Sequence, residues 1–152
     1  QKTSFLPNDT LIFNKATAYK NGEEISWEQN KKEFGAAYGI HSEAVDFAKW
    51  LCALVNKEGL QSSSFEELFR AQFPLPEDDP QRAVGITDWT LGFAKAEIAG
   101  KTLYAHGGNN PGFSSLFVIE PISKWGFVIF ANADQVTEFE YLLFLWMNGL
   151  GS

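Results

Sequence analysis

The sequence predicts an α+β fold, an antiparallel sheet with helices on both faces, and three observations carry that expectation. From Trp89 onward the apolar pattern takes the period of strands and is broken only by short turns. Residues 42–58 place apolar side chains at 44, 47, 48, 51, 52 and 55, the spacing of one helix face. Phe127-Val-Ile-Phe-Ala131 is apolar on both faces, which predicts a central strand covered on each side.

Taken in order, residues 10–27 read as a hairpin. Leu11, Phe13, Ala16 and Ala18 alternate roughly, and Asn21-Gly22 is a two-residue turn signal before Glu23-Glu-Ile-Ser-Trp27. The helix at 42–58 has Ser42 as its expected N-cap, Glu43 and Asp46 at the positive end of its dipole, and Gly59 just beyond its end. A second helix is expected from Ser64, in a capping box with Glu67, and must stop before Pro74. Pro74 to Asp88 then reads as a loop, with Glu77-Asp78-Asp79 as a solvated part of it.

Strands follow at Thr90–Glu97, Lys101–His106, Ser114–Glu120 and Trp125–Ala131, with turns at Ala99-Gly100 and Pro121–Lys124. Such short connections make an antiparallel meander. A last helix, with Thr137 and Glu140 as a capping box, runs from Phe139 to Asn148, is apolar nearly all round and is stopped by Gly149.

A chain of 152 residues with 45% hydrophobic content is long enough for one packed domain, and no repeat divides it. The net charge of -7 and the lack of a basic block exclude nucleic acid and anionic membrane as partners. No apolar run approaches the ~20 residues of a bilayer span. The single Cys52 permits neither an internal disulfide nor a cysteine-based metal site. Gln1-Lys-Thr-Ser-Phe-Leu-Pro7 lacks a starting Met and the basic-then-apolar layout of a signal peptide, so the opening reads as a cut in a longer chain.

The candidate site is the stretch His106-Gly-Gly-Asn-Asn-Pro-Gly112. As a plain hairpin connection, its Gly and Asn residues would supply positive φ and its Pro would fix one torsion. As a site, His106 would close a strand facing a cleft, Gly107 and Gly108 would let a substrate backbone approach, and the Asn109 amide would point at a developing oxyanion. Asn110 and Trp89, the latter at a loop-to-strand junction, are the further candidates for substrate contact, while Trp50, Trp125 and Trp146 read first as core. Two other arrangements are weaker. His41 and His106 with Asp46 or Asp134 lack metal-ligand spacing, and Ser114 or Ser115 with His106 and Asp134 lacks a nucleophile elbow.

Set beside Tyr38-Gly-Ile-His-Ser-Glu-Ala-Val-Asp46, Leu91-Gly-Phe93, Gly112-Phe-Ser114 and Asn132, the His-Gly-Gly stretch resembles the beta-lactamase-related serine hydrolases. These comprise class C beta-lactamases, penicillin-binding DD-peptidases and their esterase and D-aminopeptidase relatives. The resemblance covers roughly residues 35–148 and places His106-Gly107-Gly108 at the third active-site motif, Lys-Thr-Gly or His-x-Gly. It implies a beta-lactamase/transpeptidase-like fold and acyl transfer, in which a Ser of Ser-x-x-Lys attacks a carbonyl and backbone amides bind the oxyanion. It implies no metal or organic cofactor, and a periplasmic or secreted setting is compatible with it. An imidazole in place of the motif's Lys would bind a substrate carboxylate or assist protonation of the leaving group.

One departure decides the reading: no serine from Ser4 through Ser123 has a Lys three residues downstream. Tyr19-Lys20-Asn21 matches Tyr-x-Asn by letters, but its Asn-Gly continuation belongs to a hairpin. The expectation is therefore a single carboxy-terminal portion, residues 1–152, of an incomplete beta-lactamase-like domain. Its partners would be a small-molecule or peptide substrate and either the missing amino-terminal part or a second chain. The alternative is a non-catalytic binding or interaction module that keeps the fold without the nucleophile.

Overall fold

The computed structural model describes residues 2–5, 9–26 and 39–134. The expected helix at Phe139–Asn148, with Trp146, lies outside them, as do Trp27 and Tyr38. The chain divides into two compact units, one built from residues up to 44, 108–116 and those from 129 on, the other from 45–107 and 117–128.

In the first unit, α1 (Asp9–Asn14) stands where the sequence predicted a hairpin arm. Leu11-Ile12-Phe13 is a contiguous apolar run with no period of two, and Asp9 at its head favours a helix start. The hairpin proper is shorter, β1 (Ala18–Lys20) against β2 (Glu23–Ile25), in the register Ala18↔Ile25. Asn21 and Gly22 both take positive φ, 53° and 82°, as a two-residue turn that matches strand twist requires. Asn21 is thus a turn residue.

In the second unit, α2 (Ala44–Val55) buries Leu51, Leu54 and Val55. Cys52, expected on that face, is exposed instead, because the buried stripe runs one position further round. The helix ends on Lys57 in the left-handed region, φ 57°, with Glu58 N–H donating to the Ala53 carbonyl and Lys57 N–H to that of Leu54. That is a Schellman ending two residues before the glycine that was expected to supply it. The Ser42 hydroxyl, expected as N-cap acceptor, meets the Thr3 hydroxyl at 2.8 Å and donates to the Glu43 carbonyl. Helix α3 (Ser62–Phe69) starts two residues before the predicted Ser64, with Gln61 at its N-cap. Glu67 makes no capping box there, since its carboxylate is held by Arg70 and Gln72.

Six strands form one sheet in the order β3 (Phe73–Pro74), β4 (Ile86–Trp89), β5 (Ala94–Ile98), β6 (Lys101–Asn110), β7 (Phe113–Glu120), β8 (Trp125–Ala131). Sequence neighbours are sheet neighbours, the meander that short turns predict. The class is α+β, a mostly antiparallel sheet with a few helices. The strand expected at Thr90–Glu97 begins only at Ala94, as β5, and its first four residues join β4 to it. Thr90 N–H donates to the Phe93 carbonyl and Gly92 takes φ 91°, so this tetrapeptide is a turn. The preceding loop accordingly ends early in β4, after a 3-10 turn at Pro80–Val84 capped by the Asp79 carboxylate. Strand β8 closes the order among the described residues rather than standing centrally, and Phe130 is exposed. Apolarity on two faces reports cover above and below a strand and is silent about its edges.

The core of the second unit joins Leu51, Leu54 and Val55 of α2 and Phe65 of α3 to Phe93, Phe117 and Ile119 of the sheet region. Tyr104, which packs on this core, pairs with Lys95 of β5, so Ala94 and Ala96 are buried on the opposite face of the sheet, an alternation of period two. Where β7 turns, Glu120 is 2% exposed and its carboxylate accepts from the N–H groups of Ile122 at 2.8 Å and Ser123 at 2.9 Å. Burial pushes its pKa up, but hydrogen bonds from Ser123 and Ile122 and the charge of Lys101 outweigh it and hold the group below the ordinary carboxylate value. A carboxylate depressed in the folded state stabilises fully above its unfolded pKa, and that contribution is lost as pH falls through the folded value. Glu120→Gln is therefore expected to cost about 2 kcal/mol at pH 7. Urea unfolding of both proteins at pH 7 and pH 3 should show the gap shrinking in acid, and a gap independent of pH would rule out the charge.

Candidate active site

The site candidates lie at the far end of β6, and the hairpin before it sets their position. Ala99 and Gly100 take φ 51° and 74°, closing β5 onto β6 in two residues, and Ala94↔Ala105 is the last pair of that register. His106 follows and is exposed. Its imidazole meets the Trp89 ring edge-on at 6.1 Å and lies nearly parallel to Phe117 at 6.5 Å. Phe117 is itself held by Phe47 at 5.6 Å, Trp50 at 5.7 Å and Phe93 at 5.9 Å. The histidine thus sits on an aromatic floor that fixes its ring plane by packing. Trp89 and His106 were singled out in the sequence and are brought together. Phe47, Trp50 and Phe117 were not singled out for the site, because aromatics at helix and strand spacing read as core.

Gly107 and Gly108 are exposed, and neither takes positive φ. The strand runs through them to Asn110, and the turn is Pro111-Gly112, with Gly112 at φ 73°. The expectation of a glycine-rich turn directly after His106 is corrected: two extended glycines leave bare backbone on an exposed strand. In the other unit, a Cβ on Gly108 would lie 3.2 Å from Ser115 Oγ, whose hydroxyl donates to the Gly108 carbonyl at 3.4 Å. The Ser114 hydroxyl is 2.8 Å both from the Asn109 side-chain oxygen and from the Ala133 carbonyl oxygen. Asn132, directly after β8, donates its amide to the Thr17 carbonyl at 2.9 Å.

The remaining candidates have local structural partners. His41 exchanges backbone hydrogen bonds with Ser4 at 2.9 and 2.8 Å, and burial, then the charge of Lys15, lowers its pKa. Asp46 pairs with Lys49 at 2.6 Å. Among the described residues no three His, Cys, Asp or Glu side chains gather to hold a metal ion, and no helix is long and apolar enough to cross a membrane.

With that geometry in place, the comparisons define the class. The beta-lactamase family model matches residues 2–145, nearly the whole chain, and the protein belongs to that family. Its fold is shared with the octameric penicillin-binding protein homologue from Pyrococcus abyssi, TM-score 0.72, 17% identical, covering 97% of this chain and 34% of that one. It is shared too with the class C beta lactamase from Rhodobacter sphaeroides, TM-score 0.63, 14% identical, covering 96% and 50%. A D-stereospecific amidohydrolase from Streptomyces sp. aligns with TM-score 0.56, 19% identical, covering 80% and 36%. The chain therefore spans a third to a half of the length of these structures. The comparison with curated proteins returns no match.

Proposed function

We propose that residues 1–152 are the carboxy-terminal portion of one beta-lactamase-like serine hydrolase domain. They supply one wall of its acyl-transfer site, and the nucleophilic serine lies outside them. The observation that carries this reading is His106, an exposed imidazole whose ring is set by Trp89 and Phe117, in the stretch that resembles the family's third motif. Acyl transfer needs a nucleophile, proton carriers and donors for the oxyanion. His106 serves as the proton donor to the leaving group or as the partner of a substrate carboxylate. The Asn109 amide faces the oxyanion, Gly107 and Gly108 admit the substrate backbone, and Asn110 and Trp89 border the bound substrate.

The test uses a chromogenic ester, a beta-lactam and a serine-reactive fluorophosphonate. A chain of these 152 residues alone is expected to turn over neither substrate and to take no label. The parent protein is expected to be labelled on a serine outside it. His106→Ala in the parent should lower kcat/KM by about 10²–10⁴, the contribution of a positioned acid or base. Turnover by the 152 residues alone overturns the proposal. A parent that acylates on no serine overturns it in favour of the binding module.

A further inference from the structure

Ser114 supports an inference that rests on the role proposed for Asn109. It is 4% exposed, near the start of β7, and its hydroxyl has two partners at 2.8 Å, the Asn109 side-chain amide and the Ala133 carbonyl. A hydroxyl carries one proton. Asn109 Oδ1, the atom that faces Ser114, and the Ala133 carbonyl oxygen can both only accept, so both bonds form only with the Asn109 amide turned over, its NH₂ group meeting the Ser114 lone pair while the hydroxyl donates to Ala133. Oxygen and nitrogen of an amide are sterically alike, so the hydrogen-bond network decides which way it turns.

We infer that Ser114 is a positioning residue for the hydrolase site, anchoring the Asn109 amide to the backbone that follows β8 and fixing which of its atoms is left for substrate. One N–H of Asn109 is spent on Ser114, and the second N–H and the carbonyl oxygen remain. Asn109 is exposed at a strand end, where an untethered side chain samples several rotamers and an oxyanion donor loses its preorganisation. Satisfying a buried hydroxyl would by itself require only one of the two bonds.

The test is a double-mutant cycle in the full-length parent with the chromogenic ester, joined to side-chain amide NMR of the same proteins. Ser114→Ala is expected to lower kcat/KM about tenfold in the wild-type background and to cost nothing more in an Asn109→Ala background. The Asn109 NH₂ pair should show one proton shifted and slow to exchange, and Ser114→Ala should return both to solvent-exposed values. Equal losses in the two backgrounds, or an NH₂ pair unmoved by Ser114→Ala, overturns the inference. A parent without turnover defeats the hydrolase reading instead, and the NMR arm then decides the anchoring alone.

Discussion

Replacing Gly112 by alanine is expected to lower the unfolding free energy by about 3 kcal/mol, because two independent costs meet there. Gly112 sits at φ 73°, where an L side chain is strained. A Cβ built on it lies 2.6 Å from the Ala18 Cβ, 2.9 Å from the Tyr19 nitrogen and 3.0 Å from the Ala18 Cα. Two of those three atoms are backbone, and β1 is held by its pairing with β2, so no flexible side chain can yield. Gly22 separates the two costs: its φ is 82°, and nothing lies within 4 Å of its added Cβ. Gly22→Ala should lose only about 1 kcal/mol, the strain alone. Urea unfolding of both variants decides the matter, and equal losses would mean that crowding against β1 contributes nothing. Gly112→Ala should also disturb Asn109 and Ser114, which stand three residues before it and two after.

The elements that were legible in the sequence are those whose signal is local. Asn21-Gly22, Ala99-Gly100 and Pro121–Lys124 turn where expected because a glycine or asparagine tolerant of positive φ, or the fixed torsion of a proline, marks each of them locally, while Ala99 and Lys124 are carried into positive φ by the turn. Helix α2 follows from periodicity, and strand β8 from a short unbroken apolar run bounded by a turn. What failed depended on partners. Thr90–Phe93 looks like strand by composition, yet one backbone bond closes it into a turn. Gly107 through Asn110 looks like a turn by composition, yet pairing in the sheet keeps it extended. The same division runs through the proposed site. His106, Gly107, Gly108 and Asn109 announce themselves by residue type and spacing. Phe117 and Ser114 do so only once β7 is laid beside other elements, and a Ser-Ser pair in an otherwise apolar strand was the one available hint.

Gly126→Ala should be at least as damaging, about 3–4 kcal/mol, for the opposite reason. Its φ lies outside the left-handed region, so an alanine fits the strand backbone without strain. The added Cβ, however, would stand 2.5 Å from the Val118 carbonyl oxygen, 2.9 Å from Ile119 Cγ2 and 3.2 Å from Ile119 Cα. Val118 and Ile119 are 1% and 0% exposed, and Ile119 belongs to the core with Leu51, Phe65 and Phe93. Relieving the clash would push β8 from β7 or drive the Ile119 side chain into a filled interior, and either loses packing as well as sheet hydrogen bonds. Gly92 is the matching control, with φ 91° and nothing within 4 Å of its Cβ. If the ranking follows contact rather than backbone angle, Gly126→Ala unfolds at much lower urea than Gly92→Ala with the same dependence on denaturant. A Gly126→Ala loss below about 1 kcal/mol would mean that the strand pair yields at little cost. The close approach at Gly126 would then be no determinant of the fold.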